Sequence, residues 1–130
     1  MADNWYAGNA STDSKDRRGW LIGHFIEDSD DIRATNDVEI KWGNHSAGEE
    51  RETWVTDDYR TTVIILVRGR FRLNLGAESI LLEKRGDYVM WGAGIDHSWR
   101  AEDDSVVVTV RWPSLVNAQF GAHNTPGHFK

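Results

Sequence analysis

At 130 residues, with 39% hydrophobic and 28% charged side chains, the chain has the size and composition of one globular domain and leaves no room for a second core. Its formal net charge of -6 argues against nucleic acid or an anionic membrane as partner, because phosphate binding needs clustered Lys and Arg. The absence of cysteine excludes disulfides, thiolate catalysis and Cys-ligated zinc, while seven Trp point to an aromatic core or pocket.

Residues 1–18 are rich in Asp, Asn, Ser and Gly without periodicity, which predicts a flexible N-terminal arm from which Trp5 and Tyr6 could still dock. The first twenty residues carry no apolar core of a signal sequence, and no run approaches the ~20 apolar residues that span a bilayer. A cytoplasmic location without a membrane partner is therefore expected. A first strand is predicted at Trp20–Ile26 and a second at Val38–Asn44. The acidic loop between them, EDSDD at 27–31, reads as a solvated turn, since the spacing, central Gly and terminal Glu of an EF-hand are missing.

The run TTVIILVRG ends at Gly69 and is β-branched, which fits a buried strand better than so short a helix. After it come RFRLNL, SILLE, YVMW, HSWR and SVVVTVRW, separated by turns at Gly76–Glu78, KRGD, GAG and AEDD. Short strands at regular spacing with turn chemistry between them predict an all-β, antiparallel sandwich or closed barrel over 19–114. No segment from Trp20 to Trp112 reads as a helix, Pro113 ends the last strand, and residues 115–130 read as a loosely ordered tail. Arg68, Arg70 and Arg72 cluster at a turn and are expected to form a salt-bridged surface.

From Gly86 the chain reads GDYVMWGAGIDHSW, which resembles the second motif of the cupin superfamily: a Gly, five residues, Pro-x-Gly, two residues, His, three residues, Asn. Gly86, Gly94 and His97 fall at the matching spacings, while Gly92 stands for the Pro and Ala101 for the Asn. The first cupin motif, a Gly, five residues, His-x-His, three or four residues, Glu, six residues, Gly, fits between Gly48 and Gly69 with one residue too many. On that register Trp54 and Thr56 occupy the histidine positions and Thr62 the Glu position. A second register makes His45 a motif histidine with Glu49 or Glu50 as the acidic ligand, but it puts Gly43 at the partner His and needs a long insertion before Gly69. The resemblance implies a jelly-roll β-barrel of the RmlC-like type with a ligand site in its lumen. On the first register no metal cofactor is expected; on the second, His45, His97 and Glu49 or Glu50 would hold a divalent transition metal.

The resemblance places His97 in the lumen near the open end, where a neutral imidazole can act as general base or acid. Trp54, Thr56, Thr62, Tyr88 and Trp99 are the expected ligand-binding residues. Trp99 shares the strand parity of His97. His24 reads as a satisfied core or rim histidine. In VEIKWGNH the apolar face is Val38, Ile40 and Trp42, so His45 is expected to face solvent. His123 and His128 receive no role. The functional expectation is a small-molecule-binding cupin with metal-independent lyase, dehydratase or isomerase chemistry on His97; a metal-dependent enzyme and a non-catalytic sensor or scaffold are the alternatives. A small organic ligand and a homodimer are the expected partners; the resemblance implies a dimer through sheet edges or sheet faces, which an exposed run such as VIILV would favour.

Overall fold

The computed structural model describes residues 4–115. Apart from Leu115, the tail expected to be loosely ordered, with His123 and His128, falls outside the described residues.

Eight strands follow in chain order: β1 Trp20–Ile22, β2 Glu39–His45, β3 Thr61–Arg68, β4 Phe71–Leu75, β5 Glu78–Leu82, β6 Tyr88–Trp91, β7 His97–Ala101 and β8 Ser105–Trp112. They form a five-stranded sheet in the order β1-β2-β8-β3-β6 and a three-stranded sheet in the order β5-β4-β7, with every pairing antiparallel. The order is non-sequential because β8 returns to lie between β2 and β3, as in a jelly roll. Residues 49–55 extend the smaller sheet along β7 through bridges of Glu50 to Arg100 and Val55 to His97.

Gly69 closes the turn between β3 and β4. Its φ is +95°, and a Cβ there would lie 2.3 Å from the Asp104 carbonyl oxygen. Only glycine accepts both conditions.

In β3 the residues at alternate positions, Thr62, Ile64 and Leu66, are buried, as the period of two requires. Ile64 and Leu66 meet Phe71, Leu73, Leu82, Trp91, Ala101 and Val107 in one core. The registers define rows across the inner face of the larger sheet. One runs Glu39, Arg111, Thr62, Trp91; the next begins Lys41, Thr109, Ile64; a third runs Gly43, Val107, Leu66. The interior is thus polar and charged at one end of the barrel and apolar at the other.

Two expectations are corrected here. The N-terminal segment carries a short helix, α1 (Ala10–Ser14), and a 3-10 turn over Lys15–Arg17. Asn9 caps α1 by accepting from the Thr12 N–H at 3.1 Å, and the Ser14 hydroxyl, fully buried, donates to the Ala10 carbonyl. Asn9 and Ser14, two of the polar residues behind the expectation of a mobile arm, thus bond to the backbone of α1. The first strand stops at Ile22 rather than Ile26, because the backbone of Gly23 bonds to Arg33 and Thr35 instead of to β2.

Candidate ligand cavity

The segment leading into β3 sets the site. Val55 and His97 exchange both backbone hydrogen bonds, at 2.9 Å each, which puts their side chains on the same face. Asp57 then starts a turn: its Oδ1 accepts from the Tyr59 and Arg60 N–H groups, and its Oδ2 from Arg60 Nε at 2.6 Å. Val55 and Asp57 therefore face inward. Trp54 is 43% exposed, and Thr56 turns to Asp96, donating to its Oδ1 at 2.8 Å. Neither lines the cavity, so the expected register is wrong by one residue, and such a slip moves every side chain to the other face. Tyr88 is also misplaced. It is 68% exposed, because Val89 and Trp91 are the inward residues of β6.

Inside the barrel lies a cavity of about 60 Å³ whose walls include Thr62, Trp91, His97, Trp99 and Phe71, with Lys41, Arg51 and Arg111 among them. His97 stacks obliquely on Trp91, ring centres 4.9 Å apart. Its Nδ1 lies 3.1 Å from the Ile95 carbonyl oxygen. A carbonyl only accepts, so Nδ1 carries the proton and Nε2 keeps its lone pair. Burial pushes the His97 pKa down, so the imidazole is neutral at pH 7 and able to take up a proton.

His45 faces the interior, against the expectation from alternation. Its ring sits 4.5 Å from that of Trp99 and 5.4 Å from that of Phe71, and its Nδ1 donates to Glu49 at 2.5 Å. Burial lowers its pKa as well, with Glu49 opposing the shift. Lys41, His45 and Trp99 also border a second, outer cleft of about 520 Å³ between α1 and β2, where Lys15, Arg18, Trp42 and Glu49 contribute walls. These three residues stand between the outer cleft and the inner cavity.

A buried ionic network braces one end. Glu39, with no exposed surface, takes Arg60 Nη1 and Arg111 Nε at 2.6 Å on Oε1 and the Ser114 hydroxyl at 3.0 Å on Oε2. His24, half-buried, joins through Ser114 Oγ, 2.8 Å from its Nδ1, a satisfied histidine at the rim of the network. Arg111 also lies 4.3 Å above the Trp20 ring, and burial holds its pKa down to about 10. The surface arginines behave as expected of a turn: Arg70 pairs with Asp103 and Arg72 with Glu102, each at 2.8 Å.

No protein-family profile and no curated protein matches the sequence. Solved structures do match the fold. KdgF from Halomonas sp. superposes with a TM-score of 0.57 at 23% identity, over 62% of this chain and 74% of that one. An RmlC-like cupin from Shewanella frigidimarina gives 0.55 at 16% identity, over 61% and 68%. A variant of salicylate 1,2-dioxygenase from Pseudoaminobacter salicylatoxidans gives 0.52 at 20% identity, over 58% of this chain but only 21% of that larger one.

The chain has the cupin fold. With Val55 and Asp57 facing His97, the first cupin motif fits from Val55 onward, and the extra residue falls between Gly48 and Val55: Val55-x-Asp57, four residues, Thr62, six residues, Gly69. The positions that carry metal ligands in cupins are then Val55, Asp57, Thr62 and His97. Valine offers no donor atom, the Asp57 carboxylate is engaged by Arg60, and the Thr62 hydroxyl is a poor ligand for a first-row transition metal. The alternative set is not assembled either. Glu49 is bonded to His45, Glu50 pairs with Arg100 at 3.3 Å, and among the described residues no three His, Asp or Glu side chains converge as ligands. The residues present do not fit the metal that the fold often carries.

The residues missed at the sequence level are Lys41, Arg51, Asp57, Arg60 and Arg111. The alternation that sets Val38, Ile40 and Trp42 on one face puts Glu39 and Lys41 on the same side as His45, which it takes for the solvent side; the signal that corrects it is the run TVRW, which places Arg111 among inward residues of an apolar strand and so demands a carboxylate opposite it. No helix of the described residues is long and apolar enough to cross a membrane.

Proposed function

We propose that this protein binds a small organic molecule inside the barrel, beneath His97 and without a transition metal, and that His97 exchanges a proton with it. The observation that carries this reading is the 3.1 Å contact between His97 Nδ1 and the Ile95 carbonyl, which assigns the proton to Nδ1 and leaves Nε2 as the basic nitrogen of a residue that lines a cavity walled by Trp91 and Trp99. Many lyase, dehydratase and isomerase reactions begin with removal of a proton beside a carbonyl or carboxyl group. A positioned imidazole accelerates such a step by about 10²–10⁴-fold. A thermal-shift screen against small acids, amides, sugars and nucleosides tests binding, since a bound ligand raises apparent stability by mass action. Solvent-deuterium incorporation into each hit tests proton exchange. Hits that exchange with the native chain but not with His97→Gln support the reading; a screen without hits removes it.

A second reading, a non-catalytic sensor, is favoured by how little space the aromatic side chains leave. It predicts hits that bind equally well to native chain and His97→Gln and exchange no protons.

We also propose that a second copy of the chain covers the outer face of the larger sheet. Two apolar rows cross that face, Ile40, Val110, Val63, Met90 and Trp42, Val108, Ile65, Tyr88. Copies of a chain with net charge -6 repel one another, and contact through these uncharged rows costs least.

A further inference from the structure

Lys41 has no counter-charge of its own. Its Nζ lies 5.6 Å from the Trp20 ring centre, and no ion pair of Lys41 occurs among the described residues. The two deeply buried carboxylates are already committed. Glu39 serves Arg60, Arg111 and Ser114, and Asp57 serves Arg60 and two backbone N–H groups. Glu49, the carboxylate at the mouth, accepts from the neutral His45 ring and acts on Lys41 only from a distance, without an ion pair. Within the cavity the network of Glu39, Asp57, Arg60 and Arg111 balances its own charge, Arg51 stands in the same wall, and Lys41 adds positive charge beyond the network. A largely buried lysine without an ion pair is costly, and it is out of place in an acidic protein unless something anionic arrives from outside.

We propose that the cavity receives the carboxylate of a small organic acid, held by Lys41 and Arg51, with the rest of the molecule extending past His45 and Trp99 into the outer cleft. This rests on the barrel cavity being the ligand site. Size supports it: about 60 Å³ is space for roughly four or five waters, enough for a carboxylate and one or two further atoms but not for a whole ring. The outer cleft, of about 520 Å³, continues from the same three side chains and carries Lys15 and Arg18. A carboxylate is favoured over phosphate because the walls are flat aromatic rings, and side-chain cations rather than a cradle of backbone N–H groups supply the charge.

The field at Lys41 fits an anion site. Burial, followed by the cations Arg111 and Arg51, pushes its pKa down to about 8; Glu49 opposes and Arg18 adds a smaller push. The His45 ring, which also faces this space, is neutral at that pH. An arriving carboxylate reverses the balance and keeps the ammonium protonated.

The test is a matched titration of acetate with acetamide, propionate with propionamide, and benzoate with benzamide, at constant ionic strength and pH 7, with inorganic phosphate alongside. Native chain, Lys41→Met, Arg51→Met and the surface control Arg70→Met are compared. Acids are expected to bind while the amides do not, with affinity lowered about tenfold or more in Lys41→Met and Arg51→Met and unchanged in Arg70→Met. Affinity for the acids should fall as pH rises above about 8. Equal binding of acid and amide overturns the carboxylate assignment and leaves the cavity reading standing, and phosphate binding tighter than any acid overturns the ligand class. Failure of every probe to bind overturns both.

Discussion

Replacing Lys41 by Met should make the protein more stable, and by an amount that depends on pH. Met keeps the length and apolar stem of the side chain and removes the charge. The Lys41 pKa lies at about 8 against an ordinary value of 10.5, chiefly because of burial. At about 1.4 kcal/mol per unit, holding the ammonium inside the barrel costs on the order of 3 kcal/mol, and partial solvent contact lowers that to about 1–3 kcal/mol. Below pH 8 folded and unfolded chains both carry the proton, so the full penalty applies. Between pH 8 and 10.5 the folded chain releases the proton first, the unfolded chain holds more protons, and stability rises with pH. Lys41→Met should therefore exceed the native chain by about 1–3 kcal/mol at pH 7, or about 3–10 °C in Tm for a domain of this size, and the gap should close towards pH 10.5. Urea unfolding of both proteins at pH 7, 9 and 10 measures it. A variant no more stable at pH 7, or a gap that stays constant with pH, would refute the idea that Lys41 is a buried charge awaiting a partner.

Glu39→Gln removes the acceptor shared by Arg60 and Arg111 and leaves both guanidinium groups buried beside a neutral amide; a loss of about 3–5 kcal/mol in urea unfolding is expected. Gly69→Ala meets both a positive φ and a backbone oxygen at 2.3 Å, so a loss of more than about 1 kcal/mol is expected, whereas Gly86→Ala, with open space around it, pays for the backbone alone. Tyr88→Ser and Trp54→Ala should leave the affinity of any acid found in the titration unchanged, because both side chains are outside the cavity. Met90→Glu puts a charge in the middle of the outer apolar rows, and light scattering should then show a monomer where the native chain is a dimer.

The strands were legible because their boundaries are written in local chemistry. β-branched runs alternate with Gly-containing turns, so β3, β6 and β8 were placed nearly to the residue. The first strand was overextended because WLIGHFI continues to read as apolar past Gly23, and only the distant contacts of Gly23 with Arg33 and Thr35 end it. The inward face of β2 could not be read by the same means. Alternation assigns the apolar residues to the inside on the premise that the inside is dry. In β2 the inner residues are Glu39, Lys41, Gly43 and His45, and the premise fails because this end of the barrel holds an ionic network.

The one-residue error at Trp54 has a different origin. Fixing the first motif from Gly48 left a surplus residue, which the sequence reading put between the two histidine positions and Thr62. The structure puts it before Val55, because the stretch after Asp57 is a four-residue turn set by the Asp57 carboxylate on the N–H groups of Tyr59 and Arg60. The Asp at the head of Asp57-Asp58-Tyr59-Arg60 is a known turn-former and would have given the correct register from the other direction. The same carboxylate explains why the site departs from a metal centre. Once Asp57 both shapes the turn and neutralises Arg60, it is unavailable as a ligand, and Arg60 in turn shares Glu39 with Arg111. Turn, β2 and β8 are thereby locked together by charges that cancel one another. Lys41, one step along β2 from this network and opposite Thr109, is left as a cation that the protein itself does not answer.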